Sequence, residues 1–258
     1  MNMARNDLLL PRRALVGGIA TLGGLALAGC SDELPPTYGN ILRIGDDFTY
    51  RAQRMLLPRN ALVRQFDHAD ITSMPAIGTT NPGNAKEPGF STEFGEAYDR
   101  LRKDDFAGWR LEVAGLVARP GAYSLADLKA LPARTQITRH TCEEGWSAIA
   151  EWTGAPLAAL LSAAGMLPNA RYVNFHAYDE VVDNIDLVDA LHPQTILAYG
   201  MNGRDLPPGH GAPARVRVET QLGYKSIKFL RRIEVVEKFD DFGKKGNIQN
   251  GWSWYAGI

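Results

Sequence analysis

Cys142 lies in the run RHTCEEGWSAIAEWTG (Arg139 to Gly154), with His140 before it and Glu143 and Glu144 after it. The chain's other cysteine, Cys30, closes an N-terminal targeting segment, so the mature part keeps one thiol without an intramolecular disulfide partner. Such a thiol is either buried and inert or chemically employed. Two kinds of chemistry are open from the residue types. A thiolate is a soft metal ligand. Alternatively, a cysteine one strand residue away from a histidine can share its face and act as a nucleophile with His140 as base.

The elements that must present this thiol are readable around it. Trp109, Leu111 and Val113 alternate with Arg110, Glu112 and Ala114, the period of a half-buried strand, and Gly121 breaks the pattern. Ser124 opens SLADLKALP as an N-cap with Asp127 at capping-box spacing, and Pro132 closes that helix. A strand from Thr135 to Thr141 runs out into the loop that carries Cys142, a usual placement for a reactive group. Pro156 to Ala164 reads as a helix with Gly165 as its C-cap. Beyond it come a strand at Arg171 to His176 and a short helix at Leu187 to Leu191 capped by Asp186. A strand at Thr195 to Met201 turns at Asn202-Gly203. After the loop LPPGHGAPAR follow a strand at Arg215 to Glu219, a short helix at Lys225 to Leu230, and a last strand at Ile233 to Val236. Strands and short helices without regular βαβ spacing indicate an α+β fold with a mixed, largely β core.

Residues 31–105, rich in Pro, Gly, Asn and charge, read as an irregular N-terminal arm lying over a core domain at 106–238. An aromatic tail at 239–258 carries Trp252, Trp254 and Tyr255, expected to fold back on the core rather than to dock a partner. At the front, Arg12 and Arg13 precede an apolar, Gly-rich stretch from Ala14 to Ala28 that ends in Leu27-Ala28-Gly29-Cys30. This is a secretory signal, with residues 1–30 resembling the twin-arginine class that exports folded proteins. The apolar run, roughly 15 residues, is short of the ~20 that span a membrane. LAGC resembles a bacterial lipobox, making Cys30 a lipid anchor on the periplasmic side of the envelope; an ordinary cut near Ala28 is the other reading. Net charge is −1 and 45% of residues are hydrophobic. Basic pairs such as Arg231-Arg232 and Lys244-Lys245 read as solvated faces, so no nucleic-acid surface is expected.

Three separated blocks, RHTCEEGWSAIAEWTGAPLAALL, ALHPQTILAYGMNGRDLPPGHGAPARVRV and QLGYKSIK, closely resemble the molybdopterin-binding domain of the sulfite oxidase family, particularly its periplasmic bacterial branch with the methionine sulfoxide reductase catalytic subunits. The resemblance covers about residues 105 to 238. It implies molybdopterin with molybdenum as cofactor, in its plain form without a nucleotide, and Cys142 as the protein ligand to the metal. It also implies that His210 and Arg215 flank the loop contacting the pterin, with His210 where relatives carry Asn. Lys225, Ser226, Ile227 and Lys228 would hold the phosphate end, and Arg139 would stand near the metal. Glu144 matches a glutamate close to molybdenum that could relay a proton, while Glu143 is expected to point to solvent. Trp146 and Trp152 are expected to wall the pocket. Asn81, in TTNPGN, is the candidate contribution of the arm.

Sulfite oxidases proper follow the cysteine with arginines; here Glu143 and Glu144 stand instead and would repel sulfite. The chain also ends about 20 residues past the last expected strand, without the family's dimerisation domain, so a monomer is expected. No CxxCH haem attachment is possible with these cysteines, so electrons are exchanged with another protein. The resemblance implies a haem-containing membrane partner. The reading is an exported molybdopterin oxidoreductase transferring an oxygen atom, in the direction of sulfoxide or N-oxide reduction. The alternatives are a non-catalytic molybdopterin-binding electron-transfer subunit and a metal-free cysteine enzyme.

Overall fold

Two sheets share the architecture, and each of the expected strands falls in one of them. The structure is a computed structural model describing residues 38–88, 90–240, 242 and 251–258, with side chains from residue 44 onward. The signal, Cys30 and Lys244-Lys245 lie outside the described residues. The first sheet contains β1 (Arg110–Gly115), β2 (Gly121–Ser124), β5 (Tyr172–Ala177), β6 (Val182–Asp186) and β10 (Leu230–Val236), in the order β2-β1-β10-β5-β6. The second orders β3 (Arg134–Thr141), β4 (Ser147–Pro156), β7 (Ile196–Met201) and β8 (Arg204–Asp205), with β9 (Arg215–Arg217) also paired to β7. β1 and β10 run parallel, whereas β3–β4, β4–β7, β5–β6 and β5–β10 are antiparallel. The helices are α1 (Tyr38–Leu56), α2 (Thr92–Lys103), α3 (Leu125–Ala130), α4 (Leu157–Ala164) and α5 (Leu187–Ala190). The α+β class with a largely β core is therefore observed.

Local chemistry explains the elements that were expected. In β1, Leu111 and Val113 are buried while Arg110 and Glu112 are exposed, and Trp109 just before it buries its ring and donates Nε1–H to the Leu230 carbonyl at 3.0 Å. Ser124 caps α3, its Oγ accepting from Asp127 N–H at 3.1 Å while the Asp127 carboxylate accepts from Ser124 N–H at 2.8 Å. Asn202 and Gly203 both take positive φ, 51° and 72°, as a two-residue turn joining β7 to β8 requires.

Five expectations are corrected. The 31–105 arm is not irregular throughout, because α1 and α2 lie in it; Phe94, Tyr98 and Leu101 recur at helical spacing and Ser91 Oγ caps Phe94 N–H at 3.2 Å. β4 was not expected as a strand: Ala148, Ile149, Ala150, Trp152, Gly154 and Ala155 are all buried, so it shows no clean alternation. Gly121 starts β2 rather than ending regular structure, and β6 follows β5 as a further unexpected strand. The expected helix at Lys225 to Leu230 is a single 3₁₀ turn, Gly223–Lys225, and Leu230 already begins β10.

Both sheets contribute to one main core: Val113, Phe175 and Val235 meet Leu197 and Val216, with Leu157, Leu160 and Leu161 of α4 among them. A smaller cluster surrounds Trp152 within the second sheet. The tail folds back: Trp254 and Tyr255 pack on Tyr50 of α1 with ring centroids 5.0 and 5.1 Å away.

Candidate active site

The rigid end of β3, the arm and the segment leading into β10 converge on one cavity of about 430 Å³. Its wall is built from residues 74–79 of the arm, from Cys142, Glu143, Glu144 and Trp146 of the β3–β4 connection, and from Asp179 and Val181 after β5. His210, Arg215, Tyr224, Ser226, Ile227 and Lys228 complete it.

Cys142 directly follows β3, and its turn is fixed by backbone bonds, Cys142 N–H to the Trp146 carbonyl at 2.9 Å and Gly145 N–H to the Cys142 carbonyl at 3.1 Å. The residue is 3% exposed, and its sulfur lines the cavity wall while accepting from Glu144 N–H at 3.5 Å. The thiol faces Glu143 Oε2 at 3.5 Å and Glu144 Oε2 at 4.0 Å. Burial, and then the two carboxylates, push its pKa up; the Glu144 N–H pulls the other way. Glu143 is thus a half-buried wall residue rather than a solvent-pointing one, and the more exposed Glu144 accepts from Trp146 Nε1–H at 3.1 Å.

His140 lines the same wall, but it cannot serve the thiol as a base. Burial, then the positive charges of Arg217 and Arg215, drive its pKa down to about 2, and its Nδ1 lies 2.7 Å from Arg217 Nη1. Arg217 in turn grips Glu219 with Nε and Nη2 at 3.1 and 2.8 Å, and Gln136 Nε2 reaches the same carboxylate at 3.1 Å. Gly223 makes room for the ring: a Cβ there would sit 2.5 Å from His140 Nε2. The metal-free thiol-nucleophile reading therefore lacks its base.

The same cavity also has cations in its wall. Arg215 is 4% exposed and donates to two neutral carbonyls, His210 at 3.1 Å and Ser226 at 2.6 Å. Its Nε is buried without a hydrogen-bond partner. Burial, then Arg217, lowers its pKa to about 9. Lys228 donates to the carbonyls of Ile77 at 2.8 Å, of Thr79, and of Gly209 at 3.4 Å, tying the arm to the loop; burial first, then Arg215, lowers its pKa to about 8. Burial likewise takes His210 down to about 4, so it is neutral. Among the described residues neither Arg215 nor Lys228 has an ion-pair partner within 4 Å, and a buried guanidinium without a counter-charge is a cradle for an anion.

The remaining candidates divide between the wall and other places. Arg139 is on the exposed face of β3, bonded to Ser147 Oγ at 3.0 Å and stacked over Phe66, because side chains alternate and His140 takes the inner face. Asn81 closes its own turn, its Oδ1 accepting from Gly83 N–H at 3.1 Å; the arm reaches the cavity through residues 74–79 instead. Lys225 is wholly buried in an ion pair with Asp183 at 2.6 Å. Trp152 is buried beneath Arg215 and Arg217, which lie 5.4 and 4.5 Å over its ring. Trp146, Ser226 and Ile227 stand at the wall, Ser226 Oγ also accepting from Val218 N–H at 3.1 Å. Asp179, Gly223 and Arg217 were missed, and the 74–79 run has no periodicity or motif that would mark it.

A molybdenum held by its pterin dithiolene needs little from the protein beyond one soft ligand and a cradle for phosphate, and these residues fit that group. Among the described residues no cluster of three or more His, Cys, Asp and Glu forms a metal cage. Residues 99–242 match the family described as the oxidoreductase molybdopterin binding domain. A protein of Azospira oryzae, provisionally named protein-methionine-sulfoxide reductase subunit YedZ1, is 35% identical over 95% of this chain and 87% of its own length. The protein-methionine-sulfoxide reductase catalytic subunit MsrP of Xanthomonas campestris pv. campestris is 28% identical over 89% of this chain and 71% of its own. The solved sulfane dehydrogenase SoxCD of Paracoccus pantotrophus aligns at TM-score 0.48 and 25% identity over 50% of this chain and 38% of that one, too partial a likeness to bear on the assignment. The chain belongs to the oxidoreductase molybdopterin-binding domain family and is an enzyme, a molybdenum-cofactor oxidoreductase with molybdopterin as its cofactor.

Proposed function

We propose that this enzyme reduces a sulfoxide, on the pattern named in its relatives the methionine sulfoxide of proteins, to the thioether and water with two electrons and two protons. The observation that carries the reading is that the Cys142 thiol and the buried guanidinium of Arg215, whose Nε has no hydrogen-bond partner, line one cavity. The two-electron redox chemistry belongs to the bound cofactor. The chain's own contribution is positional: Cys142 would ligate the metal, and Arg215, with Lys228 beside it, would offset the phosphate charge. Glu144, held by Trp146, would hand a proton to the departing oxygen. Glu143 and Glu144 make the mouth acidic, which favours a neutral sulfoxide over an anion such as sulfite.

In the same reading the chain is exported folded by a twin-arginine route and anchored through Cys30 on the periplasmic side. A haem-containing membrane protein supplies its electrons, and the anchor raises the effective concentration of the pair. Molybdenum and pterin analysis of the exported protein beside Cys142→Ser, followed by turnover of methionine sulfoxide with a reduced dye, tests the proposal. About one metal per chain, lost in the variant, with sulfoxide turnover is the expected result. A loaded enzyme inert to sulfoxides overturns the substrate, and equal metal in both proteins overturns the ligand.

A further inference from the structure

Helix α1 is apolar on the outside and polar on the inside. Its inner face carries Asp46, Tyr50, Gln53 and Arg54: Tyr50 O–H donates to Asp186 at 2.8 Å, Gln53 Nε2–H to the Gly257 carbonyl at 3.1 Å, and Arg54 to Asp186 and Asp189 at 3.0 and 2.7 Å. Its outer face carries Ile44, Phe48, Met55 and Leu56, which are 46%, 74%, 80% and 73% exposed. At about 100° per residue, Ile44, Phe48 and Met55 fall within about 40° of one another, with the exposed Arg51 beside them. A surface helix of a water-soluble domain has the opposite pattern.

The stripe continues past the helix. Six of the nine large apolar side chains exposed among the described residues lie between Ile44 and Leu62, a concentration that scattered surface residues do not show. Exposed Arg51 and Arg59 punctuate it. The two acids of this stretch are turned to the tail, Asp46 accepting from Trp254 N–H and Asp47 from its indole N–H, both at 3.2 Å. An apolar face flanked by arginines, with Asp46 buried and the exposed Asp47 engaged by the Trp254 indole, complements a layer of lipid tails beneath anionic headgroups. Cys30 stands eight positions before Tyr38, and at ~3.5 Å per extended residue an anchored Cys30 can be no more than roughly 28 Å from the start of the helix.

We infer that the outer stripe of α1 lies in the headgroup layer of a phospholipid membrane, so that the enzyme rests on the bilayer by this face as well as hanging from its anchor. The inference rests on the lipid-anchor reading of Cys30, and the test separates the two. Nitroxide labels are placed at Phe48→Cys, Met55→Cys and, as a control on α3, Lys129→Cys in the exported, cofactor-loaded chain. Their accessibility to oxygen and to a water-soluble relaxant is read with and without vesicles of phosphatidylethanolamine and phosphatidylglycerol. The expected result is a several-fold rise in the oxygen-to-relaxant ratio at 48 and 55 and none at 129. A chain retained on vesicles with all three labels in water keeps the anchor and overturns the inference. Labels at 48 and 55 that enter lipid in a chain lacking the acyl group would remove the anchor reading and leave the inference standing. Shielding at 48 and 55 without vesicles would assign the face to a segment of this chain or to a second copy. Shielding that requires a membrane protein in the vesicles would assign it to that partner. Either result overturns the lipid assignment.

Discussion

Arg217 donates a hydrogen bond from Nη1 to His140 Nδ1 across 2.7 Å of buried space. A guanidinium has no acceptor, so Nδ1 must accept and the imidazole proton must reside on Nε2, which with Cε1 faces Gly223. Arg217 therefore decides what His140 presents at the wall that also holds Cys142.

Arg217→Leu removes the partner of Glu219, whose side chain has no solvent exposure, and is expected to lower stability by about 3–5 kcal/mol. The double change Arg217→Leu with Glu219→Leu should recover most of that loss in urea denaturation. In both proteins the ring ¹⁵N shifts of His140 should report a mixture of tautomers. A single tautomer in the double variant would show that something other than Arg217 sets it.

Gly223→Ala places a methyl group against His140 Nε2. The expected destabilisation is about 1–3 kcal/mol, as for an overpacked site. Gly121→Ala, where a Cβ meets nothing within 4 Å, should be neutral or stabilising by up to about 1 kcal/mol. Equal effects in thermal melts would mean that the wall yields more readily than its packing implies.

Arg215→Met should leave a folded protein that loses its cofactor. Each charge-assisted hydrogen bond is worth ~1.5–3 kcal/mol, so the molybdenum retained through gel filtration should fall about tenfold or more. Arg215→Lys keeps the charge without the fork and should fall between the two. Full retention in Arg215→Met would remove the cradle from the description of the cavity.

Asp179 is buried at the cavity wall, and that burial lifts its carboxyl pKa to about 6 despite the opposing charge of Lys228. The unfolded chain releases this proton near pH 4 and the folded protein near pH 6. The group's contribution is therefore favourable below pH 4 and is lost as pH rises to about 6. Asp179→Asn should remove that slope and gain as much as about 3 kcal/mol at pH 7, read as the difference in urea midpoints between the two proteins from pH 4 to 8. Parallel pH profiles would contradict the assignment.

Where local chemistry governs, the sequence was a sufficient guide. The alternation of β1, the Ser124–Asp127 cap and the Asn202-Gly203 turn each depend on residues a few positions apart. β4 was hidden because burial on both faces erases alternation, whereas α1 kept a helical period in Ile44, Phe48 and Met55 that passed unread in an arm rich in Pro and Gly. At the cavity, Cys142, His210, Arg215 and Lys228, which the resemblance names, all stand in the wall. Lys225 and Arg139 lie off that wall, one turned inward to Asp183 and the other outward to Ser147, and the direction of a side chain is not written in a motif. Arg217 carried no local mark. Its partner His140 is 77 positions away in the chain, and contact across such a distance is decided by tertiary packing.

The parallel pair β1 and β10 sets an order in time for the protein's manufacture. β10 is the strand that joins β1 to β5, and the segment bearing His210, Arg215 and Lys228 immediately precedes it. A nascent chain that stops short of His210 has neither a closed first sheet nor a cationic wall. Long-range pairing of this kind forms late. Loading with cofactor accordingly requires that β10 has already been made, and a truncation anywhere before β10 abolishes it together with the fold.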